Sequence, residues 1–116
     1  MASLLTRGAL CQISAGEEVY EPVLQILDRQ AIPGGQNYRL LISDSTYMTR
    51  MVILSPALNH LVEDHKIPKY TIIKVKKLNQ HQHSERRRVI AILDLEILIP
   101  GNQFGRRIED PMMMAL

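Results

Sequence analysis

Tryptophan is absent from this 116-residue chain, phenylalanine occurs once and tyrosine four times, so aromatic residues make up only 4%. Proteins that grip single-stranded nucleic acid combine positive charge with aromatic faces, each stacked base contributing about 1–3 kcal/mol. A chain this poor in aromatics has little to stack with. Cysteine occurs once, at Cys11, which excludes an internal disulfide and fits a reducing, intracellular compartment. Long apolar runs are missing too: the Val89–Leu93 stretch is far shorter than the roughly 20 residues a membrane span needs. The first fourteen residues have neither the basic start nor the apolar stretch of a secretion signal. No Gly-x-Ser-x-Gly elbow, glycine-rich phosphate loop or nucleophile-and-base pairing is present, so an enzyme is not expected and no cofactor is implied.

What is present is unevenly distributed charge. Eight of the fourteen Lys/Arg residues fall within residues 66–88, where Glu85 is the only acid, giving that segment +7. The remaining six bases face eleven acids, giving −5, so a formal net charge of +2 hides a polarised molecule. A cationic strip of this kind attracts polyanions. It is also strand-like, because Thr71 to Lys77 mixes β-branched residues with lysines and Arg88 leads straight into Val-Ile-Ala-Ile-Leu. The ordinary reading of a charge run is a solvated face, and some of Lys66, Lys69, Lys74 and Lys76 are expected to do no more than that.

At 116 residues, with 46% hydrophobic and 22% charged residues, the chain fits one globular domain with its own core. Thr6 is placed to cap a short helix carrying Ala9, Leu10 and Ile13 on one side, and Gly16 to end it. Residues 21–30 and 38–43 read as strands separated by the turn-rich Pro33-Gly34-Gly35-Gln36-Asn37. After the short turn Asp44-Ser45-Thr46, residues 47–54 continue the meander. Ser55 and Pro56 then start a helix with Leu58, Leu61 and Val62 on one face. Residues 69–79 and 87–98 are the last two strands, joined by the polar residues 80–85. Three strands, a short helix and two strands is the order of an all-β, five-stranded OB-fold barrel with short flanking helices. The centre of the last strand is apolar on both parities. One face fills the barrel, and the other is available as a groove floor. Residues 1–100 form the domain on this reading, and residues 101–116 a C-terminal extension or linker.

Six pieces now stand in order: Leu5-Thr6-Arg7-Gly8-Ala9-Leu10, Pro22-Val23-Leu24-Gln25-Ile26, Tyr38-Arg39-Leu40-Leu41-Ile42-Ser43-Asp44, Leu58-Asn59-His60-Leu61-Val62, Arg87-Arg88-Val89-Ile90, and Leu93-Asp94-Leu95-Glu96-Ile97-Leu98. Together they resemble the N-terminal domain of the large subunit of replication protein A, the single-stranded-DNA-binding complex of eukaryotes. The resemblance implies a nuclear OB-fold that recruits proteins, its basic groove accepting acidic amphipathic segments of DNA-repair, replication and checkpoint proteins. It further implies weak single-stranded DNA binding, association with other replication protein A subunits in a full complex, and no membrane partner. Carried over residue by residue, Arg39, Lys77 and Arg87 match basic groove positions, with His81 near the groove mouth. Val89, Ala91 and Leu93 would form the floor with Met51 and Ile53 of the third strand. The chain departs from the pattern at Gln30, which takes a family arginine position with Arg29 beside it, and at Asn37, which takes another.

Direct binding of single-stranded DNA through the same groove is the alternative, and a purely structural assembly role is the blander one. The scarcity of aromatics favours acidic protein partners. His81 and His83 form an H-x-H pair, but two loop histidines fall short of the three or four converging ligands that zinc takes. Tyr20, Tyr38, Tyr47 and Tyr70 read as packed strand residues, and Asp94 and Glu96 as solvated or ion-paired acids.

Overall fold

The computed structural model of the chain describes residues 4–35, 37–84 and 87–114, with the backbone alone for residues 82–84 and 87. Its elements are α1 (Ala9–Ser14), β1 (Val23–Ala31), β2 (Tyr38–Ser43), β3 (Tyr47–Leu54), a 3-10 turn (Pro56–Leu58), α2 (Asn59–Glu63), β4 (Ile72–Ser84), β5 (Arg87–Ile99), α3 (Gly101–Phe104) and β6 (Met112–Met113). β1 pairs antiparallel with β2 and β4, β2 with β3, and β4 with β5. A parallel pairing of β3 with β5 closes the ring. The cycle β1-β2-β3-β5-β4 is that of an OB-fold barrel. No helix among the described residues is long and apolar enough to cross a membrane.

Alternation along the strands builds the core. Leu24 and Ile26 of β1, Leu40 and Ile42 of β2, Val52 and Leu54 of β3, Ile73 and Val75 of β4, and Ile90 and Ile92 of β5 all point inward and are buried. α1 adds Ala9, Leu10 and Ile13 to the same cluster. Burying a side chain such as Leu10 stabilises the fold by about 1.5–3 kcal/mol. The helix ends at Gly16, whose φ of +88° suits glycine, with Gly16 N–H donating to Ile13 and Glu17 N–H donating to Gln12 at 2.9 Å each. Its start differs from the expectation. Gly8 is the cap residue, and the Thr6 hydroxyl instead accepts the Val23 N–H at 2.9 Å, tying the N-terminal segment to β1.

The turn between β2 and β3 is held by Asp44, a buried carboxylate that accepts the N–H groups of Thr46 (2.9 Å), Tyr47 (2.7 Å) and Leu10 (3.0 Å). One side chain therefore shapes a hairpin and anchors α1 to it. β2 and β3 have the bounds that the flanking turn chemistry indicates, whereas β1 starts at Val23 rather than Glu21. β4 departs most: it starts at Ile72 and runs through Ser84. Residues 80–84, expected in a connecting loop, continue the ladder, with His81 across from Val89 and Ser84 across from Arg87. Cross-strand pairing with the apolar β5 extends a strand that its own polar composition does not announce.

Segment 100–114, read from the sequence as an extension or linker, lies against the barrel. Gly101 is buried where a side chain would overlap the Lys69 carbonyl, and its N–H donates to the Thr71 hydroxyl at 2.9 Å. The buried Gln25 donates to the carbonyls of Tyr70 (3.2 Å) and Arg106 (2.8 Å) and accepts the Ile108 N–H (2.9 Å). β6 then pairs in parallel with β3, Tyr47 with Met112 and Met48 with Met113, while Arg7 is ion-paired with Glu109.

Candidate binding groove

The residues of β3 and β5 that do not enter the core form a second, outward row. Ile53 lies beside Ala91 in the parallel pair; Arg39 of β2 stands across from Ile53, and Asn79 of β4 across from Ala91. Cross-strand partners share a face, so these four residues span four strands on the outside of the barrel. Val89 continues the row opposite His81. Met51, Ile53, Val89, Ala91 and Leu93 are half-buried, whereas Arg39, Lys77 and His81 are exposed. Strand alternation thus gives an apolar floor with polar and basic residues at its margins.

A pair of irregularities ends this floor. On β5, Leu93 falls between the pairings of Ile92 with Leu78 and Asp94 with Lys77; on β4, Lys76 is left over between Val75 and Lys77. The extra residues exchange the two faces of the strands. Beyond them Leu95 and Ile97 pack against the core while Asp94 and Glu96 are exposed. Lys77 therefore faces Asp94, and Lys74 faces Glu96. Lys76 binds Glu21 at 3.0 Å, and this hydrogen bond holds its ammonium pKa above 10.5, with the charges of Glu21 and Glu96 adding to the effect. Three lysines of the cationic strip thus stand beside acids that the sequence places elsewhere, one of them in an ion pair. Arg88, next to the expected groove residue Arg87, shares a different depression with residues 16–21 and 76–80. Arg87 itself opens β5, and its side chain lies outside what is described, as does His83's.

Two further arginines stand outside the expected groove set. Arg29 and Arg50 line one cleft with Arg39, Asp28, Gln30 and Leu41. Strict alternation from Val52 would send Arg50 inward, but the pairing of β2 with β3 slips between Leu40 and Ile42, and Arg50 is exposed. Arg29 borders this cleft together with Gln30, the position at which the chain departs from the family pattern. Among the described residues no group of three His, Cys, Asp or Glu converges as a metal site requires.

Residues 5–100 match the family described as Replication factor-A protein 1, N-terminal domain. The chain belongs to that family. Among its relatives are the Replication protein A 70 kDa DNA-binding subunits of Gallus gallus, 32% identical over 115 residues, and Danio rerio, 31% identical over 114 residues. A Drosophila melanogaster subunit of the same description is 31% identical over 118 residues. These alignments cover 96–97% of this chain, and so take in much of the segment that folds back after residue 100, but only 19% of each relative. The chain thus spans about a fifth of the length of the curated relatives it matches. The replication-factor membership accounts for the ordered motifs from Leu5 to Leu98 and for the barrel they build.

Proposed function

We propose that this domain is a non-catalytic recruitment module of a nuclear single-stranded-DNA-binding complex. In this reading it docks acidic amphipathic segments of DNA-repair, replication and checkpoint proteins. The observation that carries the reading is the outward apolar row of Ile53, Ala91 and Val89, edged by Arg39. A segment that turns helical on docking sets its Leu, Phe or Ile side chains on this floor and its carboxylates against Arg39, Arg87 and Lys77. Ordering the segment costs free energy, so affinities are micromolar.

Against the alternative of direct single-strand binding stands the floor's composition: none of Met51, Ile53, Val89, Ala91 and Leu93 offers a ring for a base to stack on. Titration of the domain with an acidic amphipathic peptide and with a single-stranded oligonucleotide at matched ionic strength decides between them. The peptide binds more tightly at physiological salt, and both weaken as salt rises because exposed charges are screened over about 8 Å. Tighter oligonucleotide binding would reverse the assignment.

A further inference from the structure

We propose that Arg29, Arg39 and Arg50 form a receptor for a phosphorylated serine or threonine carried by the docked acidic segment, an inference that rests on the recruitment reading above. Two neighbouring slips in strand pairing assemble it. On β1 the register shifts between Ile26 and Asp28, so that Asp28 faces Leu41, Arg29 faces Leu40 and Gln30 faces Arg39. On β3 the pairs Val52 with Leu40 and Thr49 with Ile42 leave Arg50 and Met51 together opposite Leu41. Such bulges re-aim side chains. Here three arginines, 21 residues apart along the chain from first to last, line a single cleft.

The cleft is under-supplied with negative charge. Among the described residues Asp28 is the one acid lining it; the Asp28 carboxylate lies 3.9 Å from an Arg29 guanidinium nitrogen and already accepts the Arg29 backbone N–H at 2.9 Å. The Arg29 side chain is only 23% exposed, and its buried Nε has no hydrogen-bond partner among the described residues. Positively charged residues lining one cleft, one of them with an unsatisfied buried donor, favour an added anion. A carboxylate supplies one charge and two acceptor oxygens. A phosphomonoester supplies about −1.5 to −2 and three oxygens, which suits several guanidinium forks. Arg39 also borders the groove floor through Ile53, so the phosphate sits at one end of the same docking surface.

The test uses one acidic amphipathic peptide made with serine, aspartate or phosphoserine, the substituted residue placed at either end in separate peptides. Each is titrated into the parent protein, Arg50→Gln and Arg29→Gln at pH 7.5 and constant salt, with thermal melts to confirm folding. At one of the two ends, phosphoserine strengthens binding to the parent about tenfold over serine and clearly more than aspartate does. Arg50→Gln removes most of that gain and changes affinity for the serine peptide by less than about threefold. Equal affinity for serine and phosphoserine peptides at both ends, with the serine peptide still binding, overturns this inference and leaves the recruitment reading standing. Full persistence of the gain in both variants does the same. Failure of every peptide to bind overturns both. An oligonucleotide that loses as much affinity on Arg50→Gln as the phosphopeptide does overturns the inference by assigning the cluster to a nucleic-acid backbone.

Discussion

Along β4, Lys74 stands across from Glu96, Lys77 across from Asp94, and Lys76 is bound to Glu21. On β1, β2 and β3, by contrast, Arg29, Arg39 and Arg50 line a cleft in which Asp28 is the one acid among the described residues. The first group is dense in sequence and faces acids across the sheet, with one ion pair among them; the second is scattered in sequence and lines one cleft. Opposite charges at a few ångströms cancel each other's field at longer range, and surface potential follows what is left over. A run of lysines is therefore a poor guide to where a polyanion docks, and the balance of charge around each surface is a better one.

The largest effects expected come from the floor and from Arg39 and Arg87. Ala91→Asp sets a carboxylate beneath the ligand's apolar face, where its desolvation is unfavourable, and reduces acidic-peptide affinity by well over about tenfold. Arg39→Glu and Arg87→Glu do the same by replacing attraction with repulsion. Circular dichroism alongside each titration should show an intact barrel. If well-folded Arg39→Glu and Arg87→Glu proteins bind like the parent, the groove is elsewhere.

Reversals on β4 are weaker. Lys74→Glu and Lys76→Glu lower affinity by about threefold or less, an effect that fades as salt is raised. A loss from Lys76→Glu equal to that from Arg39→Glu would erase the distinction between the two regions. Lys66→Glu, on the exposed stretch after α2 and away from the groove, changes affinity only through a long-range, salt-dependent contribution.

The smallest effect concerns the Lys76–Glu21 pair itself. Because the bond to Glu21 raises the Lys76 pKa above 10.5, Glu21→Gln moves that pKa down, and a heteronuclear NMR titration of the lysine side chains reads the change. A raised pKa in the folded state contributes stability that is fully present below the unfolded value and lost as pH rises through the folded one. The difference in thermal midpoint between parent and Glu21→Gln therefore narrows above pH 10.5. An unchanged Lys76 titration in Glu21→Gln would show the pair to be absent in solution.

The hairpins of the barrel were legible because their signals are local. Asp44-Ser45-Thr46 turns the chain through a carboxylate that reaches nearby N–H groups, and the bounds of β2 and β3 follow from it. The outward apolar row of β5 was legible as well, since a strand centre apolar on both parities places apolar residues on its outer face. The reach of β4 through Ser84 was not, because Gln80, His81 and Gln82 are held in the sheet by pairing with Ile90, Val89 and Arg88 rather than by their own preference. Nor was the course of residues 101–114, which depends on the buried amide of Gln25, more than 75 residues earlier, accepting and donating to backbone groups.

What the sequence determined by itself, then, is the alternation that fills the core, the turns that order the strands, and the motifs that mark the family; each acts between residues close along the chain or in fixed succession. The tertiary structure alone decided which charges share a surface. Barrel closure brings β3 beside β5 and so joins Arg39 to the floor at Ala91, while slips of a single residue turn Arg50 outward and set Lys77 against Asp94. Electrostatic interaction depends on separation in space and on the side of the sheet a residue faces, and one bulge changes both without leaving a mark in the composition.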